Sequence, residues 1–395
     1  PFGRMVLLGF QHVLTMFPAT VLCALLMHFD VSTVLTITGL GTIVALLGSK
    51  FSINTYIPLY YGSSFSYIAA VTSIIAVLEP DLGFDTVASP RSISVVTAGF
   101  IVTGILNILI GLLIRVTGGK KGLDKILPAE VTGSVAIIIG IGLAYTALTM
   151  ASGTCCGVDP AATPGLTLTW WLAALLTFLA AVVFSVYLQG KGFIGMLPIL
   201  LAMVFGYIVA IPMGLIDFST IGSSGWITVP KIVFPVFNDI LTPTALIGIG
   251  VMAIATIPES TAHLYQISLY VDHLATEMKR EKYHLDRFIG FNLVLDGIGD
   301  MINGMFGGAA GTNYGENNSL MVITRNYSGP SLIVAGIIAI LMSFSGTLAG
   351  VVQSIPTAVS GGLAVYLFGV IGLQGVALMI SEKVNLFDPR QLAIG

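Results

Sequence analysis

With 395 residues, 55% of them apolar and only 9% charged, the chain has too few ionic side chains to cover a water-facing surface, since soluble domains carry about 25% charged residues. A mean hydropathy of +0.97 points the same way, so a soluble enzyme, a nucleic-acid binder and a secreted scaffold are excluded and the chain reads as an integral membrane protein. The net charge of −3 says little about partners, and the three cysteines, Cys23, Cys155 and Cys156, make neither a disulfide framework nor a metal-ligand spacing.

A helix needs about 20 apolar residues to cross a bilayer. On that rule spans are expected near 5–28, 33–48, 54–78, 92–114, 130–151, 168–188 and 192–216, then near 243–269, 288–310, 313–324, 331–352 and 357–380. The first is already long enough to span, so a cleavable signal peptide is not expected. The third and tenth are interrupted by Gly, Ser and polar residues. When loops are assigned alternately to the two faces, 14 of the 16 Lys and Arg residues share one face, among them Lys50, Lys120, Lys121, Lys125 and the run 279–287. Only Arg91 and Lys231 fall on the other. Positive charge stays inside, which places the N-terminus in the cytoplasm and the chain in the cell (cytoplasmic or inner) membrane as a multi-pass protein. Trp170, Trp171 and Trp226 read as interfacial anchors.

The Gly-, Pro- and Ser-rich segment 217–242 divides the chain into 1–216, with seven spans, and 243–395, with five. An odd number of spans per half inverts the second half relative to the first, the plan of many secondary transporters. The expected fold is therefore an all-α integral membrane protein with two inverted repeats of seven spans, a 14-span plan. The linker 217–242 is expected outside the cytoplasm. The chain opens at Pro1 and stops at Gly395, just after an apolar run begins at Leu392. It reads as a fragment that lacks the last two spans.

Ionisable groups in apolar spans are costly and usually functional. Gln11 and His12 sit in the first span. Glu259 and His263 sit in the eighth, one helical turn apart and so on one face. Asp296 and Asp300 repeat that spacing in the ninth, and Glu316 lies in the tenth. The stretches YYGSSFSYIAA and TNYGENNSL place Gly beside aromatic and small polar residues at membrane depth, where unpaired backbone is tolerated only against protein or a cavity. Both read as broken spans, and they fall at matching positions of the two halves, together with the first and eighth spans. Carboxylates accept from ring N–H groups and freed backbone N–H groups donate to ring carbonyls. With Phe65, Tyr67 and Tyr314 nearby, such a site suits a small planar ligand, and a nucleobase better than a sugar or an inorganic anion.

At these residues the chain resembles the nucleobase–ascorbate transporter family, in its uracil permease branch. The signature of that family is matched by Glu316-Asn317-Asn318-Ser319 followed by Thr324-Arg325 and preceded by Asn313-Tyr314-Gly315. Further matches are Gln11-His12, Gly62-Ser63-Ser64-Phe65, Glu259 with His263, and IPTAVSGG leading to FGVIG. The resemblance implies core and gate domains interleaved across both repeats, paired short strands in the third and tenth spans, and proton-coupled import by alternating access. It also implies site roles: Glu259 and Glu316 hold the base, the backbone near Ser64, Phe65, Tyr314 and Gly315 contacts its carbonyls, and Glu259 with His263 couples the proton. Gln11, His12, Asn317, Thr324 and Arg325 are expected to support the site. Ser319 replaces the family Gly, and Phe368 stands where uracil permeases commonly have Tyr.

The expected function is uracil import with the proton as coupling ion, no cofactor, no metal and no catalytic residue. A xanthine or urate permease of the same family is the alternative; purine-carrying relatives usually have Gln in place of Glu316. An anion carrier of similar architecture fits two carboxylates poorly. An intramembrane enzyme fits worse, because Glu259 and His263 lack a zinc-binding or protease motif around them. Expected partners are a nucleobase, the lipid bilayer and a second copy of the chain, with no nucleic acid. For Asp296 a structural or gating role is favoured; the sequence offers no account of Asp300.

Overall fold

The computed structural model describes residues 2–84, 86–117, 128–223 and 225–394; Lys120, Lys121 and Lys125 of the expected cytoplasmic cluster lie outside them. In chain order the elements are α1 (Phe2–Leu26), α2 (Val31–Ile53), β1 (Tyr61–Ser63), a 3-10 turn (Phe65–Tyr67) running into α3 (Ile68–Leu78), and α4 (Pro90–Thr117). There follow α5 (Ala129–Ser152), α6 (Pro164–Tyr187), α7 (Pro198–Ala210), α8 (Thr242–Gly250), α9 (Ala253–Glu277) and α10 (Ile289–Phe306). Then come β2 (Gly311–Asn313), α11 (Gly315–Thr324), α12 (Gly329–Ser343), α13 (Gly346–Gln353), α14 (Thr357–Ser381) and a last short helix, Pro389–Ile394. Among the described residues seven helical segments are long and apolar enough to cross a membrane, the longest being the 36-residue run Thr242–Glu277 that joins α8 to α9.

Each of the twelve expected stretches contains helix, and the differences have local causes. The third and tenth are broken as read: a three-residue strand precedes a half-length helix in each. The stretch 192–216 yields only the 13 residues of α7, about 20 Å of helix, because Pro198 starts it late and Gly214 follows it with a left-handed φ of 68°. The expected span 331–352 is two helices, α12 and α13, interrupted at Phe344 and Ser345.

Two compact units divide the chain. The first comprises the described parts of 1–82, 87–126 and 228–345, and so holds α1–α4, α8–α12 and both strands. The second comprises those of 83–86, 127–227 and 346–395, and holds α5–α7, α13 and α14. Each unit thus draws helices from both halves of the chain.

Within the first unit the halves repeat one another. α1 and α9 each carry an interior proline, Pro18 and Pro258, where the ring removes a backbone donor from the helix. β1 leads into α3 as β2 leads into α11. α2 packs on α12, and α10 on α4, which is the same pairing after exchange of the two halves. Glycines permit the close approach: a methyl on Gly39 would stand 2.6 Å from the Gly336 carbonyl, and one on Gly104 equally near that of Gly297. Small residues at such crossings are how membrane helices pack without a water-driven hydrophobic force. Asp30 caps α2, accepting from the Thr33 amide at 2.9 Å, which satisfies one of the helix's first unpaired donors. The second unit uses the same device where α5 meets α14, through Gly133 against Gly375.

Candidate functional site

The site grows from the strand crossing of the first unit. β1 and β2 pair antiparallel, with Tyr61 opposite Asn313, Gly62 opposite Thr312 and Ser63 opposite Gly311. The pairing extends by Tyr314 N–H to the Tyr60 carbonyl at 2.8 Å and Ser64 N–H to the Ala310 carbonyl at 3.2 Å. Two short strands satisfy each other's backbone, which is what lets extended chain persist among apolar helices. Each strand then delivers a helix start. Ser64 caps the 3-10 turn, its hydroxyl accepting from Ser66 N–H at 3.2 Å, and α11 begins at Gly315. The first N–H groups of a helix have no partner inside it, so the start of α11 offers donors to a ligand.

Side chains from α9 meet these helix starts. Glu259 follows Pro258 directly, is partnered by the Ser64 hydroxyl, and lies near enough to Glu316 for the two charges to repel. One turn along, His263 rests on the Asn313 backbone, and a methyl on Gly315 would come within 2.8 Å of its Nε2. His263 Nδ1 is buried without a hydrogen-bond partner. Phe65, Glu259, His263, Gly315 and Glu316 are all half-buried, while Ser64 is buried beside them. The structure therefore brings together all the principal expected residues except one side chain: Tyr314 is only 5% exposed. Its hydroxyl is shared between Thr20 Oγ1 at 2.8 Å and Ser63 Oγ at 3.1 Å, and its ring stacks on that of Tyr60. The ring braces the strand crossing, and the Tyr314 backbone is engaged as well, its N–H on the Tyr60 carbonyl and its own carbonyl accepting from Asn318 N–H at 3.3 Å, so Tyr314 shapes the site from behind.

The expected supporting residues separate into two groups. Asn317 donates to His12 Nδ1 and to the His12 carbonyl, both at 3.1 Å, so these two tie α11 to α1. Gln11 is half-buried beside them, its Oε1 without a partner. Thr324 and Arg325 are not at the site. They lie eight and nine residues beyond Glu316, about 12 Å along α11; Thr324 bonds back to the Leu320 carbonyl at 2.8 Å, and exposed Arg325 pairs with Glu277. They terminate the helix, Arg325 with a left-handed φ of 51°.

A second layer holds the first in place. Asp296 accepts from Ser260, the neighbour of Glu259, and from Asn313 Nδ2 at 3.2 Å. Asn292 donates to Ser260 Oγ at 2.8 Å. Asp296 therefore fixes α9 and β2 together, the structural role its position implies. Asp300, without an account from sequence, proves to be the anchor of the crossing itself. It accepts from the Tyr61 hydroxyl at 2.6 Å, the Gly311 N–H at 2.9 Å and Asn107 Nδ2 at 2.8 Å. Ser260, Asn292 and Asn107 escape a reading of sequence because single small amides and hydroxyls in apolar helices look like ordinary helix–helix glue; the one available signal is Asn292, four residues before Asp296 and so on its face.

Two carboxylates and two helix starts around a strand crossing, carried on helices that repeat in inverted order, define a membrane transporter of the inverted-repeat class. Comparison with known proteins narrows this. The model of a family described as the Permease family matches residues 3–394. The chain is 33% identical over 395 residues to the uracil permease of Bacillus caldolyticus, covering 99% of this chain and 83% of that protein. It is 32% identical over 396 residues to the uracil permease of Escherichia coli (strain K12), covering 100% and 83%. Among solved structures, the transmembrane domain of a cyanobacterium bicarbonate transporter, BicA, superposes with a TM-score of 0.64 at 16% identity, over 99% of this chain and 96% of that one, a likeness of fold. The chain belongs to the nucleobase–ascorbate transporter family of permeases.

Proposed function

We propose that this chain carries uracil across the cytoplasmic membrane by alternating access, coupled to protons. The observation that carries the reading is the pair Glu259 and Glu316 set at the starts of α3 and α11. Carboxylates accept the ring N–H groups of a neutral base, while N–H groups at the start of α11 donate to its carbonyls. The uracil permeases related to the chain over nearly its full length support the choice of base. So does Glu316, since the purine-carrying members that the sequence resembles usually place Gln there.

Coupling is assigned to Glu259 and His263. A proton taken up on Glu259 removes a charge that is expensive to hold in a dry, closed site; with His263 one turn away, proton and base are bound together and released together. The charge asymmetry of the loops supports a cytoplasmic N-terminus. Protons are the only coupling ion in this reading, and no cofactor takes part.

The test is uptake of labelled uracil in cells lacking their own uracil carrier, with and without a proton uncoupler and with excess unlabelled xanthine. Uncoupler-sensitive uptake that xanthine leaves unchanged supports the reading. Absence of uracil uptake, or strong competition by xanthine, moves the substrate to the purines; uptake indifferent to the uncoupler removes the proton.

A further inference from the structure

Cys155 and Cys156 lie outside the site and outside the spans, on the turn that joins α5 to α6 in the second unit. Their Sγ atoms are 2.8 Å apart, and both side chains are half-exposed. They occupy a 3-10 turn, Thr154–Cys156, held between Gly153 and Gly157, whose φ angles of 79° and 81° are left-handed. The turn is anchored: Val158 N–H returns to the Gly153 carbonyl at 3.1 Å, and a methyl on Gly153 would meet Val158 Cγ2 at 2.7 Å and the Trp170 ring at 2.8 Å. Two thiols are thus presented side by side, with glycine at each end free to absorb a change in the backbone between them.

We propose that Cys155 and Cys156 form a reversible redox site that closes to a disulfide between adjacent residues. One thiolate attacks a small-molecule disulfide, forming a mixed disulfide and expelling one thiolate. The second then attacks the cysteine sulfur of that mixed disulfide and expels the other half. The pair gives up two electrons and two protons, and the small disulfide is reduced to two thiols. Adjacent Cα atoms are about 3.8 Å apart, below the usual disulfide range of about 4.4–6.8 Å. The bond is therefore one of the labile kind, readily reopened by a thiol, rather than a permanent staple. The compartment follows from the orientation given under Proposed function, which puts this turn on the face that carries only Arg91 and Lys231, where disulfides form and persist.

The full chain, purified under thiol and then exposed to glutathione disulfide, tests the closure. Expected is loss of both sulfurs from reaction with maleimide, a 153–158 peptide lighter by two hydrogens, and full recovery on reduction. In Cys155→Ser the remaining Cys156 should instead carry a glutathione adduct. Wild-type protein that keeps both thiols reactive, or accumulates the adduct itself, overturns the proposal. A membrane-impermeant maleimide applied to intact cells, after an impermeant reductant has reopened any disulfide, reads the compartment separately: labelling of the pair supports it, and labelling only after the cells are opened overturns the orientation while leaving the closure to be judged by mass.

Discussion

Replacing a carboxylate by its amide keeps the shape and removes both the charge and the titration, so Glu259→Gln and Glu316→Gln separate the two roles assigned to the site. In Glu259→Gln no proton can be taken up, and accumulation of uracil against its gradient should be abolished; a variant that still concentrates uracil would sink the coupling role. Glu316→Gln exchanges a charge-assisted acceptor for a neutral group. The loss of a hydrogen bond to a charged group, about 1.5–3 kcal/mol, corresponds to a Kd for uracil raised about ten- to a hundredfold, measurable by equilibrium binding in detergent. Unchanged affinity would remove Glu316 from the site. His263 separates from both, since its Nε2 packs against Gly315 and its partner groups are backbone.

The strand crossing stands or falls with Asp300. All three of its partners are donors, Tyr61, Gly311 and Asn107, and in Asp300→Asn one of them faces a second donor in a site that is 0% exposed. An unsatisfied buried group costs about 1–3 kcal/mol, so the variant should unfold at lower temperature in detergent, with Tyr61→Phe showing part of the same loss; a Tm equal to wild type would mean the anchor is dispensable. The linker has its own tether. Arg91 Nε donates to Asp239 Oδ2 at 2.8 Å and holds that carboxyl below the usual carboxylate range. A depressed pKa contributes above the unfolded value, about 3.9, and the contribution is lost as pH falls through the folded value. Backbone amide exchange over 228–241 should therefore slow less on acidification below about pH 4 than its intrinsic chemistry requires, and Asp239→Asn should remove that difference; identical profiles would leave the pair without a role. Elements of this kind show what a sequence discloses. The twelve stretches are legible because apolar length is a property of the chain itself, and the two broken spans because Gly, Ser and Asn at membrane depth need a reason. Ends set by packing are not: the interruption at Phe344 and Ser345 has no marked residue, and Thr324-Arg325, matched to the family signature, serves the end of α11. The carboxylates of the site are conspicuous in an apolar chain, whereas the donors that position them, Ser260, Asn292 and Asn107, become meaningful only when the fold sets them against Asp296 and Asp300.

At the scale of the whole molecule the determining quantity is the distribution of charge rather than its sum. A net charge of −3 hides a division of 14 Lys and Arg against two, and moving one span in or out of the count would scramble it. Arg91 lies in the first turn of α4, Lys231 lies on the segment joining the halves, and the basic residues Lys279, Arg280, Lys282 and Arg287 follow α9. In the inverted plan these last belong to the opposite face, because one pass through the membrane separates Lys231 from Lys279. Single cysteines placed at Lys231 and Lys282, in a chain whose own three cysteines are replaced by Ser, make that testable. An impermeant maleimide on intact cells should label Lys231→Cys and spare Lys282→Cys, and inside-out vesicles should give the reverse. Labelling of both positions from one side would break the count of passes between them, and with it the inversion of the second half. The opposite pattern would keep the inversion and turn the molecule over; the two carboxylates would then face the other compartment in each state, while the direction of net transport, set by the proton and uracil gradients, would stay inward.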